Sequence, residues 1–272
     1  MSKHQAGGKK VTTRSLLEMK RVGEPIGMLT AYDYTMARLV DAAGVDMILV
    51  GDSAANVMAG HATTLPITLD QMIYHAASVV RGVERAMVIV DMPFGSYQTS
   101  PQEAVASAVR IMKESGADGI KLEGGTSVAE AIRMIVEAGI PVVGHLGLTP
   151  QSVFQFGGFG LRAKEEAEAA KLLEEVKLLE SLGVCAIVLE KIPATLAKRA
   201  ASSVRVPIIG IGAGVEVDGQ VLVLHDALGM DEAFRPKFVR RFAHLEQVII
   251  DALGSYVTAV KDKTFPNETE SY

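Results

Sequence analysis

The sequence predicts an α/β protein folded as a (β/α)8 TIM barrel, and three observations carry that prediction. Short apolar runs rich in Val, Ile and Leu occur eight times along 272 residues, each closing on Gly or a polar residue. They are apolar on both faces, as strands buried in a parallel sheet are. Most are followed by a longer stretch with helical spacing, and a single α/β barrel occupies about 200–250 residues. An open doubly wound sheet built from the same units is the structural alternative.

The strands are expected over residues 27–33, 47–53, 87–94, 119–125, 141–147, 186–192, 207–214 and 220–228. Helices are expected over 34–43, 69–83, 101–115, 127–138, 164–182 and 194–202, with a last one from 231 to about 253. Ser100 before Pro101 forms an N-cap pair, and Gly116 and Gly183 stand just past C-terminal turns. After the seventh strand no clear helical pattern follows, so that unit is short or irregular. Two connections break the rhythm, residues 56–66 and the Gly-rich "LTPQSVFQFGGFGLR"; long ordered loops at strand ends usually cover a site. The expected organisation is a flexible tail over 1–10, a catalytic barrel over 11–260 and a C-terminal extension over 261–272.

Bulk composition excludes several functions. A net charge of −5 without a Lys/Arg stripe argues against nucleic-acid binding. The single cysteine, Cys185, excludes an internal disulfide framework and a cysteine-based zinc site; among Val184, Ala186 and Ile187 it reads as a buried core thiol. No signal-peptide pattern opens the sequence, and no apolar run approaches the ~18 residues of a membrane span, so a cytoplasmic protein with no membrane partner is expected.

A barrel places its active site at the C-terminal ends of its strands. The residues finishing the runs are Asp52 and Ser53, Asp91, Lys121 and Glu123, His145, Glu190, the glycines of "GAG" at 212–214, and His225 with Asp226. Singly, each has a plain structural reading: Asp52 caps a helix, Asp91 shapes a turn before Pro93, and Lys121 pairs with Glu123. Together at one end of one sheet, these charges need compensation, and a metal is the simplest. Carboxylates without paired cysteines favour a hard ion such as Mg2+. Lys121 and Glu123 are two apart, so both side chains can face the pocket. "PIIGIGAG" fits either a phosphate cradle or close backbone approach, and His61, His75 and His225 read as structural or supporting groups.

The blocks "MLTAYDYTMARLVDAAGVDMILVGDS", "TTLPITLDQMIYH", "VIVDMPFGSY", "IKLEGG", "PVVGHLGLTPQS", "PIIGIGAG" and "DGQVLVLHDALG" together resemble the ketopantoate (3-methyl-2-oxobutanoate) hydroxymethyltransferase family, from about residue 11 to 266. The resemblance implies a barrel of the phosphoenolpyruvate/isocitrate-lyase-like group. It also implies transfer of a one-carbon unit from 5,10-methylenetetrahydrofolate to 3-methyl-2-oxobutanoate, giving ketopantoate for pantothenate synthesis. Carried over by motif, Asp52 and Asp91 go with Mg2+ and substrate, Glu123 with the metal shell, Lys121, Ser53 and His145 with substrate, and Glu190 with proton abstraction.

The family's members form rings of dimers, so a homo-oligomer, a decamer, is implied. Three departures from the family's pattern stand out: Ala62 before "TTLP", Lys191 after Glu190, and the "ETESY" ending. The competing readings are an Mg2+-dependent 2-oxo-acid lyase of the same barrel group and a catalytically silent scaffold. Such lyases rely on a reactive cysteine loop, whereas Cys185 lies in an apolar strand; a scaffold would need none of the five charged strand-end residues.

Overall fold

The computed structural model describes residues 8–272. Eight strands, β1 (Ile26–Thr30), β2 (Met47–Val50), β3 (Met87–Asp91), β4 (Gly119–Glu123), β5 (Val142–Gly147), β6 (Ala186–Glu190), β7 (Ile208–Ile211) and β8 (Gly219–Leu222), pair in chain order and in parallel. Pairing of β1 with β8 closes the barrel. Strand alternation fills its interior: Met28, Met47, Leu49, Met87, Ile89, Val143, Val188, Ile209 and Val221 form one buried cluster. Their alternates, among them Ile48, Val88, Ile120 and Leu122, are also buried, so the strands are apolar on both faces.

All strands but β5 stop earlier than the apolar runs suggest, because those runs continue into the loops that follow. Helices α1 (Thr13–Val22), α2 (Tyr34–Ala42), α3 (Ala54–Val57), α4 (Leu69–Val80), α5 (Pro101–Ser115), α6 (Ala129–Glu137), α7 (Val153–Phe156), α8 (Glu166–Ser181) and α9 (Ala194–Ser203) complete this unit. The sequence placed no helix at α1, which a Thr12–Ser15 capping box opens and Gly23, at φ 75°, closes. Ser100 caps α5 as expected, accepting from the Glu103 N–H, and no helix intervenes between β7 and β8.

The N-terminal end of the barrel repeats one device. The residue just before β2, β4 and β8 is Asp46, Asp118 and Asp218, whose carboxylates accept the backbone N–H of Gly27, Val88 and Ile208 on the neighbouring strand, at 2.9, 2.8 and 2.8 Å. Each also meets a cation, Arg85 at 2.7 Å, Lys10 at 2.8 Å and Lys20 at 2.8 Å. Cys185 fills the equivalent place before β6, and burial pushes its thiol up to about 12. It therefore lies at the end of the barrel opposite the strand C-termini. Of the stretch expected as a flexible tail, residues 1–7 lie outside the described residues, whereas Lys10 is tied to Asp118 and to the Ala86 carbonyl.

Residues from Leu224 to Tyr272 form a second compact unit, and the boundary expected at 260 falls inside it. It contains α10 (Leu224–Leu228) and α11 (Leu245–Lys261). His225 and Asp226 therefore sit on α10 rather than at the end of β8. The last helix begins fourteen residues later than the sequence suggests, at Leu245 rather than 231; residues 231–244 are irregular and include Pro236, which has no N–H to donate. None of α11 is buried, and Val248, Ile250, Leu253, Tyr256 and Val260 are exposed along it. No described helix is long and apolar enough to cross a membrane.

Asp41 on α2 accepts backbone N–H groups from Glu84, Arg85 and Ala86, fixing the entry to β3. Asp41→Ala leaves those donors without their acceptor and is expected to lower unfolding free energy by about 3 kcal/mol. Urea unfolding measures this, and a loss below about 0.5 kcal/mol, the range of neutral surface changes, would contradict the assignment.

Candidate active site

Strand register assembles the charged groups before any loop is considered. Asp91 is the Cα partner of Lys121 across β3 and β4, and Glu123 is the partner of His145 across β4 and β5. Gly147 is the partner of Glu190 across β5 and β6. Asp91, Lys121, Glu123, His145 and Glu190 share the alternation of the interior cluster, so all five point inward at the C-terminal mouth.

The contacts follow. Lys121 Nζ lies 2.8 Å from Asp91 Oδ1 and 3.1 Å from His145 Nδ1. His145 spans the site, with Nδ1 3.5 Å from Glu123 Oε1 and Nε2 3.4 Å from Glu190 Oε2. Asp91 Oδ2 accepts the Asp52 backbone N–H at 3.0 Å, carrying the loop after β2 into the cluster. Ser53 occupies the N-cap position of α3 but makes no capping bond; its Oγ lies 2.8 Å from Tyr32 Oη. Asn56 shapes that loop, its amide donating to the His61 carbonyl. Asp52 is no helix cap either, since its Oδ2 accepts from Gln151 Nε2 at 2.9 Å.

Burial governs the electrostatics. It pushes Asp52 up to about 7, aided by the charges of Asp91 and Glu123. Asp91 is raised by burial as well, with Lys121 opposing. For Lys121, burial favours the neutral amine, but Asp91, Glu123 and Asp52 together outweigh it and hold the ammonium charged. His145 is drawn down by burial and by Lys121, then up to about 9 by its contacts with Glu123 and Glu190. Glu190 differs in access: its side chain is 15% exposed, against 3% for Asp91 and Glu123, so it alone of these three can readily meet an incoming molecule.

Asp52, Asp91, Lys121, Glu123, His145 and Glu190 thus join one network, Ser53 meets Tyr32 beside it, and His225 and Asp226 do not end a strand. Sequence reasoning missed three buried groups: Tyr32, Tyr97 and Gln151. Gln151 sat inside a loop read as a cover. Its only sequence signal is an amide four residues past β5, in a loop that also carries Gln155. His75 is structural, its Nδ1 2.7 Å from the Tyr32 carbonyl. Gly214 of "GIGAG" answers to packing: with φ 86°, a Cβ there would stand 2.4 Å from Ala194 Cβ at the start of α9. Lys191, at φ 45°, turns out of β6 and its ammonium meets the Phe159 carbonyl, away from Glu190.

The family model for ketopantoate hydroxymethyltransferase matches residues 10–268. The chain belongs to the ketopantoate hydroxymethyltransferase family. It is 62% identical over 272 residues, the full length of both chains, to a 3-methyl-2-oxobutanoate hydroxymethyltransferase of Flavobacterium johnsoniae. A Bacteroides thetaiotaomicron protein of the same name is 64% identical over 264 residues, 97% of each chain. The activity is thus that of a transferase, hydroxymethyl transfer giving ketopantoate in the pantothenate pathway. Among solved structures, 2,3-dimethylmalate lyase, a PEP mutase/isocitrate lyase superfamily member, superposes with a TM-score of 0.59 at 15% identity, over 97% of this chain and 93% of its own. At that identity the likeness concerns the fold alone, and the closed barrel is the fold expected from the sequence.

Gly147 ends β5 at φ 91°, and a Cβ there would stand 2.3 Å from the Glu190 carbonyl oxygen. Gly147→Ala is expected to keep the far-UV spectrum of the barrel and to lower kcat at least about tenfold, the scale on which a small displacement at an active site acts. An unchanged kcat would show that this contact does not position Glu190.

Proposed function

We propose that this hydroxymethyltransferase takes 3-methyl-2-oxobutanoate and 5,10-methylenetetrahydrofolate as its substrates, with Glu190 as general base and Mg2+ as the metal. The observation that carries the reading is the opposition of an accessible carboxylate, Glu190, to a buried ammonium, Lys121, with His145 between them. A base on one side and a fixed positive charge on the other suit removal of a proton next to a carbonyl.

The residues fit a hard divalent cation. The acids offer only oxygen donors, and Asp52, Asp91 and Glu123 outnumber the Lys121 ammonium. Glu123 Oε1 is buried without a hydrogen-bond partner, His145 Nδ1 standing 3.5 Å away. Among the described residues no three acid, histidine or cysteine groups already surround a common centre. Mg2+ suits this arrangement, because it keeps several waters and needs few protein ligands. Asp52, Asp91 and Glu123 would hold it, and when bound it supplies Lewis-acid polarisation of the 2-oxo acid.

The chain's own groups account for the remaining steps. Glu190 takes the C3 proton of the 2-oxo acid, and Lys121 offsets the negative charge left on the substrate oxygen. His145 Nε2 faces Glu190 at 3.4 Å and offsets its charge, and Ser53, steadied by Tyr32, hydrogen-bonds the substrate. The C3 carbanion then attacks the folate's methylene carbon in its iminium form, in which one of the two carbon–nitrogen bonds has already opened and that nitrogen has taken a proton. Water then supplies the hydroxyl to that carbon and a proton to the departing nitrogen as the remaining carbon–nitrogen bond breaks, releasing tetrahydrofolate. The loop over residues 148–163 shields the carbanion from bulk water.

The lyase alternative lacks its reactive thiol, since Cys185 is buried at the opposite end of the barrel. The exposed apolar side chains of α11 suit a homo-oligomer, a decamer by analogy with the family, in the cytoplasm.

Exchange of the C3 hydrogen tests the base. With 3-deuterated 3-methyl-2-oxobutanoate and Mg2+, Glu190→Gln is expected to lose at least a hundredfold in exchange rate by NMR, within the usual contribution of a general base. Full exchange in that variant would remove Glu190 from the role. Asp52→Ala is expected to lower turnover by a similar factor and to raise the Mg2+ concentration needed for half-maximal activity about tenfold or more. An unchanged Mg2+ requirement would take Asp52 out of the metal site.

A further inference from the structure

Gln151 makes five hydrogen bonds within the site while being 6% exposed. Its Nε2 donates to Asp52 Oδ2 at 2.9 Å and to the Met92 carbonyl at 3.0 Å. Its backbone N–H donates to Glu123 Oε2 at 3.0 Å. Its Oε1 accepts from Tyr97 Oη at 2.7 Å and from Gln98 Nε2 at 3.1 Å. The chemistry of the partners sets the direction of every bond. A carbonyl can only accept and an ionised carboxylate only accepts, so the amide must present its NH2 group to Asp52 and Met92. Its oxygen is then left for Tyr97 and Gln98. Tyr97 Oη in turn accepts the Glu123 backbone N–H at 3.2 Å, which leaves its proton for Gln151.

One residue on the loop after β5 therefore ties down the loop after β2, the ends of β3 and β4, and the loop after β3. The geometry points to Gln151 as a positioning residue that sets the carboxylates of Asp52 and Glu123 for the cation, with Tyr97 fixing the orientation of its amide. This rests on the reading of those acids as the Mg2+ site. Outer groups of this kind commonly change metal affinity by 10–100-fold although they never touch the ion. The arrangement also means that the covering loop and the metal-holding acids are ordered together, since a residue within the loop's first turn, Pro150–Ser152, is the one that orients the acids.

The test is Mn2+ binding to the metal-stripped full-length enzyme, followed by electron paramagnetic resonance without substrate, beside thermal unfolding of each variant. Gln151→Met keeps the side-chain volume and the backbone N–H to Glu123 while removing the amide. It is expected to weaken Mn2+ binding by 10–100-fold. Tyr97→Phe is expected to weaken it by a smaller factor, and the double variant to bind no more weakly than Gln151→Met alone, because the tyrosine acts through the amide.

A side chain that only supports the fold would lower the unfolding temperature and leave Mn2+ affinity alone. Wild-type affinity in Gln151→Met, or multiplied losses in the double variant, would overturn the inference. If Gln151→Met does not fold, Tyr97→Phe decides: unchanged Mn2+ affinity overturns the inference, and weakened binding upholds it. A wild-type enzyme that binds no Mn2+ would instead remove the metal reading, and this inference with it.

Discussion

Three carboxylates and one ammonium are held almost out of water at the mouth of this barrel, and their mutual compensation is the constraint on which the site depends. Taking an isolated carboxylate out of water is expensive, and an ion pair offsets that expense only with good geometry and further hydrogen bonds. Lys121 and Asp91 meet the first condition at 2.8 Å, and the Asp52 backbone N–H helps to meet the second. The Lys121 ammonium, even with a protonated His145 beside Glu123, cannot neutralise Asp52, Asp91 and Glu123 together. Burial raises Asp52, the remaining negative charge adds to it, and that same charge suits the cluster to a cation.

The two ends of the barrel treat acids in opposite ways. At the N-terminal end, Asp46, Asp118 and Asp218 each have a backbone N–H and a cationic side chain, so their charges are spent on closing strands. At the C-terminal end the acids are deeper, more numerous and short of positive charge. The same residue type thus stabilises at one end and is available for chemistry at the other. The division follows the general logic of the fold, in which loops at the strand C-termini carry function. It also separates Cys185 from the reacting groups, since the thiol takes the place of an aspartate on the stabilising end.

Loops supply what the strands cannot. Strand register aligns Asp91 with Lys121 and Glu123 with His145, but Asp52 lies past the end of β2 and needs an external partner. Gln151 is that partner, and its own orientation depends on Tyr97 from a third loop. Ser53 depends in the same way on Tyr32, whose carbonyl is held by His75. These are small, directional contacts between segments far apart in sequence, and they convert a ring of strand-end charges into a shaped site.

The barrel was legible in the sequence because eight doubly apolar runs and the helices between them are local patterns, set by periodicity and capping. The strand-end positions of Asp91, His145 and Glu190, and the shared direction of Lys121 and Glu123, were legible for the same reason, since strand alternation is local. The family followed from ordered motifs, and with it the activity. Other features had no local signature. The ends of β8 and α11 were misplaced because an apolar run continues smoothly from a strand into the next helix, and because residues 231–244 carry an amphipathic pattern without forming a helix. Whether Asp52 caps a helix or faces the site was open in the sequence, as both uses need an acid at the same position. Only the tertiary structure decided it, by bringing Gln151 to the Asp52 carboxylate across 99 residues of chain. Periodicity fixes which way a side chain points, whereas the partner it meets depends on how distant segments close upon one another.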